Sequence, residues 1–200
     1  MEINKYLETI HLINGLKDTT RHCYTPGGRH ESVAEHSWRL ATMAFLIEDE
    51  FPDADINKII KMCLIHDIGE VFTGDIPSFY KTSQDESKEE SLTLILECSL
   101  VDICLLKEWV SSLPEPYNSE FAALYKEMDE LETTEAKIYK ALDNIEAAIA
   151  HNESALSTWI EKEYTLNRTY GDDKVTFSEY LTKFRALVRE ETDKKIADGK

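Results

Sequence analysis

Almost every long segment of this 200-residue chain repeats its apolar side chains with the 3.6-residue period of an α-helix. In the N-terminal segment 2–17, one such stripe contains Ile3, Tyr6, Leu7, Ile10 and Ile13. The sequence offers no convincing alternating strand pattern, internal repeat or linker. It therefore predicts an all-α fold, with a single domain over residues 1–200 that packs about seven to nine helices as a bundle.

Local signals indicate where several helices begin and end. Ser32, with Glu35 three residues further on, forms a capping box. Other N-cap residues precede two later helices, namely Asp53 or Asp55, and Thr133 or Thr134. The predicted helices span residues 2–17, 32–50, 55–69, 89–111, 118–129, 135–151, 153–169 and 176–196, with a turn at 24–28, a loop at 71–77 and a polar surface segment at 78–88.

The formal charge of the chain is −17. A strongly acidic protein repels nucleic-acid backbones at long range, so we expect no nucleic-acid partner. The same field repels a phosphorylated small molecule. An enzyme that acts on such a molecule needs a cation, or a few well-placed basic residues, to reverse the sign of the potential locally.

The sequence indicates a cytoplasmic protein without a membrane segment. The first residues lack the apolar run of a signal peptide, and no stretch reaches the ~18 consecutive apolar residues of a membrane span. The four cysteines form no CxxC pair, and we expect buried free thiols in a reducing compartment. They are Cys23, Cys63, Cys98 and Cys104.

Two histidines lie on or at the end of apolar helix faces. His36 follows Val33 by three residues and precedes Leu40 by four, so it is expected to face inward. His66 ends the strongly apolar run that starts at Ile59. A core histidine with one hydrogen bond, or a helix end that tolerates histidine, is the structural alternative.

Two aspartates occupy places that are unfavourable for a carboxylate. Asp67 follows His66 in the last turn of a helix, where the macrodipole disfavours negative charge. Asp143 lies on a stripe of small apolar residues, where a carboxylate is costly unless a positive group binds it. The alternative for Asp143 is a partly exposed side chain paired with Lys140.

If these four side chains converge, they offer two imidazoles and two carboxylates to one divalent cation. That mixed nitrogen and oxygen set suits Co, Mn, Mg, Fe, Ni or Zn, and ligand type alone does not choose among them. An octahedral shell would leave two positions, one for water and one for a substrate oxygen. The candidate metal ligands are His36, His66, Asp67 and Asp143.

Three motifs resemble those of the HD-domain phosphohydrolases, and more narrowly of the branch that contains the 5′-deoxynucleotidases. They are Glu31–Arg39 with its Glu-His-Ser, Leu64–Pro77 with its His-Asp doublet and Gly-Asp-Ile-Pro, and Lys140–Asn144. The similarity runs from about residue 21 to 151, and the tail beyond it carries no matching motif. The doublet alone is a weak signal, whereas its combination with the other motifs is strong.

The resemblance implies roles for individual residues. The four candidate ligands would hold the metal, and Glu70 and Asp75 would act on the chemistry beside it. Arg21 matches the position of an arginine that contacts the substrate phosphate in this branch. The bacterial deoxynucleotidases carry a large aromatic residue directly after that arginine, whereas this chain has His22. The choice between deoxyribose and ribose therefore stays open.

The resemblance implies a metal-dependent 5′-nucleotidase that converts (deoxy)nucleoside monophosphates to nucleoside and phosphate. Two other readings remain open. One is an HD phosphohydrolase that acts on a cyclic nucleotide, a triphosphate or an alarmone. The other is a non-catalytic, metal-binding regulatory module. A plain helical bundle without metal is the structural alternative to all of these.

Several further residues receive weaker assignments. Lys81, in the polar segment, is a candidate to close over the substrate, although an exposed lysine is the simpler reading. Because the family often forms dimers, a homodimer is expected through the helices near 89–111 and 135–150. We assign surface or structural roles to His11, His30 and His151, and core positions to Trp38, Trp109 and Trp159.

Overall fold

The computed structural model describes residues 1–76 and 103–199, and the statements that follow concern that part of the chain. It confirms the all-α class. The helices are α1 Ile3–Ile13, α2 Val33–Leu46, α3 Ile56–Ile65, α4 Glu70–Thr73, α5 over residues 103–111, α6 Tyr117–Glu130, α7 Thr134–Glu153, α8 Glu163–Thr169 and α9 Glu179–Asp198. Short 3₁₀ turns occur at Asn14–Lys17, Glu48–Glu50, Leu156–Thr158 and Asp172–Lys174. Lys81 and most of the predicted helix 89–111 lie outside the described residues.

The predicted N-caps set the start of the central helices. Ser32 caps α2 in a complete capping box: its hydroxyl accepts from the Glu35 N–H at 3.3 Å, and the Glu35 carboxylate accepts from the Ser32 N–H at 2.9 Å. Asp55 caps α3 by accepting from Lys58, and Thr133 caps α7 by accepting from Ala136. Side-chain acceptors therefore satisfy backbone donors that the first turns leave without helical partners.

Helices α2, α3 and α7 pack against one another and enclose the centre of the core. Their buried faces consist of aliphatic and small residues, which permits close packing between the helices. The fully buried members include Val33, Leu40, Ala44, Ile59, Met62, Cys63, Ala136, Ile138, Ala141, Leu142, Ile145 and Ala148. This core holds three rigid elements in fixed positions, and each of them contributes to the site described below.

A small antiparallel hairpin is present that the hydrophobic pattern did not predict. Strand β1 runs over Thr20–Tyr24 and β2 over His30–Ser32, with the predicted turn between them. Strands of five and three residues are too short to display a clear alternation. The hairpin leads into α2 and packs against α7, which places residues 21–23 beside that helix.

The prediction of one helix over 153–169 was wrong. After α7 the chain forms the 3₁₀ turn Leu156–Thr158, and α8 begins only at Glu163. Trp159 is buried in the segment between them, as expected of a core position. Its indole N–H donates to the carbonyl of His151 at 3.1 Å. The backbone at Trp159 is extended, with φ −78° and ψ 139°, so the helix is interrupted there.

The tail returns to α7 beside the middle of that helix. Gly171 has a φ of +77°, in the left-handed region that favours glycine. A β-carbon built there would lie 2.5 Å from Cβ of Asn144. The close approach therefore requires a residue without a side chain.

Tryptophan burial follows the sequence prediction at two of three positions. Trp109 and Trp159 are buried, whereas Trp38 is 67% exposed. The prediction for Trp38 was wrong because two residues turn a helix by about 200°, so Trp38 points away from the face on which His36 is buried. In the described ranges, none of the helices combines the length and apolarity that crossing a bilayer would require.

Candidate metal centre

His36 lies in the first turns of α2, just after the capping box. Its side chain is only 1% exposed. Its Nδ1 faces the carboxylate of Glu146 in a short hydrogen bond. Since an ionised carboxylate only accepts, Nδ1 carries the hydrogen, and Nε2 is left to face the interior of the site. The prediction that His36 faces inward is confirmed.

His66 and Asp67 follow the last residue of α3, where the helix gives way to tight turns. His66 Nδ1 lies 2.9 Å from the carbonyl oxygen of Cys63, and a carbonyl also only accepts. His66 Nε2 therefore points away from its own helix. It lies 2.9 Å from Oδ2 of Asp67, so the helix end brings both side chains of the doublet to one point.

Asp143 reaches the same point from the middle of α7. Its Oδ1 lies 3.3 Å from Nε2 of His36 and 3.8 Å from Nε2 of His66. Its other oxygen accepts from Lys140 at 2.7 Å, the partner that the structural alternative invoked. Both interpretations of Asp143 therefore apply, because one oxygen pairs with the lysine and the other faces the histidines.

The arrangement of nitrogens tests whether a cation fits here. Nε2 of His36 and Nε2 of His66 face each other at 3.2 Å, and each ring holds its hydrogen on Nδ1. Two lone pairs at that distance repel unless a positive charge, a proton or a metal ion, lies between them. Ligand atoms of His36, His66 and Asp67 all lie within 4.8 Å of one another, and Asp143 adds an oxygen beside both histidines. We call these four residues the metal corner.

Ionisation equilibria favour a cation at the metal corner. Burial raises the pKa of Asp143, but Lys140 and the two histidines outweigh it and hold the pKa well below its ordinary value. Burial and Arg21 lower the pKa of His36, yet the carboxylates of Glu146 and Asp143 raise it to about 10. Opposite charges cause both shifts, because Lys140 and the histidines stabilise the ionised Asp143, and Glu146 and Asp143 stabilise a positive charge at His36.

Glu146 contacts His36 of the metal corner, and it was not among the residues predicted from the sequence. It is fully buried, and besides His36 it accepts from Arg21 at 3.0 Å and from Arg39 at 2.6 Å. Arg21 also donates to Glu31 at 2.7 Å. A glutamate one turn after Asp143, on the buried face of a helix, was the available signal. Burial alone would raise the pKa of Glu146, but His36 first and then the two arginines lower it to about 2.

A cavity of about 180 Å³ opens on the metal corner. His36, Asp67 and Asp143 line it, together with Asp75 and Arg21 from the predicted site. Arg21 donates to both Glu31 and Glu146 from the same nitrogen, Nη1. A guanidinium carries five N–H donors in all. Glu70, the first residue of α4, is half-buried and is not among the described residues that line the cavity.

The remaining wall of the cavity comes largely from the tail, in which the sequence showed no motif. Its lining residues include Ala147, His151, Glu163, Leu166, Asn167 and Tyr170, with His22 from β1. Glu163 is 2% exposed, and its Oε1 lies 2.7 Å from Nε2 of His151 and 3.1 Å from Nε2 of His22. We call His22, His151 and Glu163 the histidine–glutamate cluster. The structural role predicted for His151 did not anticipate its place on this wall.

Comparison with known proteins defines the class. A family model described as HD domain matches residues 13–185. The match covers most of the chain and spans both the metal corner and the histidine–glutamate cluster. The protein therefore belongs to the HD domain family.

Individual relatives narrow the similarity. The 5′-deoxynucleotidase HDDC2 of Dictyostelium discoideum is 27% identical over 202 residues, which cover 96% of this chain and 100% of the relative. The human 5′-deoxynucleotidase HDDC2 is 28% identical over 152 residues, covering 74% of this chain and 67% of that protein.

Solved structures share the fold. A predicted metal-dependent phosphohydrolase from Magnetospirillum magnetotacticum MS-1 superposes with a TM-score of 0.71 at 26% identity, covering 97% of this chain and 95% of the other. An HD-domain phosphohydrolase from Listeria innocua, at 21% identity and a TM-score of 0.59, agrees in fold over the full length of both chains.

Proposed function

We propose that the protein is a metal-dependent phosphomonoesterase that hydrolyses nucleoside 5′-monophosphates to nucleoside and phosphate. The observation that carries this proposal is the facing pair of histidine nitrogens, 3.2 Å apart and flanked by two aspartates, at the edge of a cavity that Arg21 and Asp75 also line. The relatives named 5′-deoxynucleotidase support the nucleotide as substrate class.

A divalent metal ion is the implied cofactor, and the donor set of the metal corner fits it. Two imidazole nitrogens and two carboxylate oxygens suit Co, Mn, Mg, Fe, Ni or Zn. When bound, such an ion lowers the pKa of water and offsets charge on a phosphoryl group. Lys140 and Glu146 orient the corner, because one pairs with Asp143 and the other holds the ring of His36.

The remaining residues divide between binding and proton transfer. Asp75 lines the cavity, where its carboxylate would take a proton from the attacking water, or its carboxylic acid would give one to the leaving 5′ oxygen. We retain Glu70 as a second acid–base group, one turn after the His-Asp doublet. Arg21 contributes donors to the phosphate side while Glu31 and Glu146 fix its guanidinium. Lys81 remains a candidate substrate contact by sequence alone.

The direct test is the Asp67→Ala variant with metal analysis and phosphate release from a panel of nucleoside monophosphates. We expect loss of stoichiometric metal and of turnover, because the corner loses one of its carboxylates. Asp49→Ala, at an exposed aspartate, is the matched control and should retain both. Full metal content and unchanged phosphate release in Asp67→Ala would refute the assignment.

The same panel separates the remaining candidates. Phosphate release from monophosphates supports the nucleotidase. Pyrophosphate or triphosphate release, or opening of a cyclic nucleotide, would indicate another phosphohydrolase. Metal-loaded protein that turns over no phosphoester would indicate a regulatory module.

Two further expectations extend the proposal. We propose a homodimer in the cytoplasm, acting on small molecules rather than on nucleic acid or at a membrane. The charge of −17 and the buried free thiols Cys23 and Cys63 support the compartment and the partner class. Cys104, by contrast, is exposed, so the expectation of burial was wrong for that thiol. Light scattering on purified protein measures the oligomeric state.

A further inference from the structure

Glu163 accepts two hydrogen bonds and lies in contact with a second histidine, although it is almost entirely out of solvent. Oε1 contacts His151 and His22, and Oε2 accepts from the backbone N–H of Ile160 at 2.6 Å. Burial raises the pKa of Glu163, but the hydrogen bond with His151 outweighs it, so the pKa is lowered. Such a carboxylate is held in one position by its partners.

His151 is held just as firmly. Its Nδ1 lies 3.1 Å from the carbonyl oxygen of Ala147, and its ring packs edge-on against Trp159. Since the carbonyl only accepts, Nδ1 donates and Nε2 faces Glu163. Because the ionised carboxylate of Glu163 only accepts, Nε2 donates to it as well, and the doubly donating ring balances the carboxylate charge.

A buried ion pair is weak evidence for a role in stability alone. Replacement of buried ion pairs by apolar residues of similar volume is often neutral or stabilising. Here the pair lies on the wall of the cavity that contains the metal corner, next to the apolar Ala147 and Leu166. A few fixed polar groups among apolar ones are typical of a wall that recognises a small molecule.

We propose that the His151–Glu163 pair, with His22 against it, is the subsite that binds the uncharged, nucleoside part of the substrate. This inference rests on the proposed function, because the phosphate must lie at the metal corner for hydrolysis. A wall with no net charge does not attract a phosphate. It offers fixed hydrogen-bonding groups to hydroxyls and ring nitrogens, with an apolar surface beside them.

The test compares Glu163→Gln with Glu161→Gln, which changes an exposed glutamate two residues away. The substrates are a nucleoside monophosphate and p-nitrophenyl phosphate, which has no sugar or base, with the enzyme supplied with Mn²⁺. We expect Glu163→Gln to raise KM for the nucleotide about 10- to 100-fold, as for a lost hydrogen bond to a charged group, with kcat changed less. Its hydrolysis of p-nitrophenyl phosphate and all activities of Glu161→Gln should match wild type.

Equal losses on both substrates, or no change in KM for the nucleotide, would overturn the inference. If Glu163→Gln does not fold, as judged by thermal melting, His22→Gln alters a more exposed member of the cluster and should raise the same KM. A calorimetric titration with the free nucleoside tests the subsite without catalysis. Binding to wild type and loss of binding in Glu163→Gln support it even if no phosphoester is hydrolysed, an outcome that would refute only the proposed function. Equal nucleoside affinity in both proteins would refute the subsite.

Discussion

The metal corner and the histidine–glutamate cluster line the same cavity, but they are encoded differently. His66 and Asp67 are adjacent in sequence, and His36 and Asp143 each lie on a recognisable apolar helix face. The cluster joins His22 from a strand, His151 from the end of α7 and Glu163 from the start of α8. Local sequence patterns therefore predict the metal corner, whereas contacts between distant segments form the histidine–glutamate cluster.

The two regions also differ in charge. The corner combines two ionised aspartates with two histidine nitrogens that face one another. A cation between them would offset both the negative charge and the repulsion of the lone pairs. The His151–Glu163 pair balances its own charge and needs no further ion. We therefore expect substitutions at the corner to affect metal binding and turnover, and substitutions in the cluster to affect substrate affinity.

The largest expected effect within this comparison concerns Asp75, which lines the cavity without belonging to the corner. Asp75→Asn should retain the metal while kcat falls by about 10²- to 10⁴-fold, the range for removal of an acid–base group. Metal analysis and steady-state kinetics on the same preparation measure both quantities. A variant that loses its metal would instead make Asp75 part of the corner.

Glu70 provides the matched partner for that measurement, because it does not line the cavity in the described residues. We expect Glu70→Gln to retain the metal and to lower kcat about 10²-fold, as an acid–base role requires. If Glu70→Gln loses the metal while Asp75→Asn keeps it, Glu70 supports a ligand rather than the reaction.

An intermediate effect is expected at Glu146, which holds the ring of His36. Glu146→Gln should weaken metal affinity about 10- to 100-fold, because a partner that orients a ligating histidine typically contributes that much. Glu132→Gln, on the surface, is the control. Metal titration of the purified protein measures the affinity. Unchanged affinity would show that the corner orients His36 without its carboxylate partner.

The smallest effect compares two helix caps. Ser32 caps α2 beside the corner, and Ser178 caps α9; each hydroxyl accepts one backbone N–H at 3.3 Å. Each Ser→Ala variant should lower the free energy of unfolding by about 1 kcal/mol. Only Ser32→Ala should also weaken metal binding, because His36 lies in the next turn. Denaturant unfolding and metal titration test this, and equal metal affinities in the two variants would contradict it.

Much of the fold was predictable because short-range physics decides it. The caps at Ser32, Asp55 and Thr133 act on donors two or three residues away, so a sequence window is sufficient to find them. The interruption after α7 was not predictable in this way. It depends on Trp159 reaching a buried position and an indole hydrogen bond, which no local pattern reveals.

The candidate site divides along the same line. Its four proposed ligands converge, since His36 and Asp143 lie on helices and His66 and Asp67 directly follow the end of one. Glu146 was not predicted because a charged residue on an alanine-rich helix is usually exposed. Its burial depends on ion pairs with Arg21 and Arg39, which lie far away in sequence. Glu163 escaped because its partners lie 12 and 141 residues away in sequence.

The contact between Gly171 and Asn144 packs the C-terminal tail directly against the helix that carries Asp143. Asn144 is the immediate neighbour of Asp143, so a methyl group at position 171 would collide with the side chain beside a proposed metal ligand. The tail that shapes the substrate wall thus cannot be exchanged as an independent module. Any redesign of the cavity wall formed by residues 163–170 must keep glycine at position 171, or the helix that carries Asp143 has to shift.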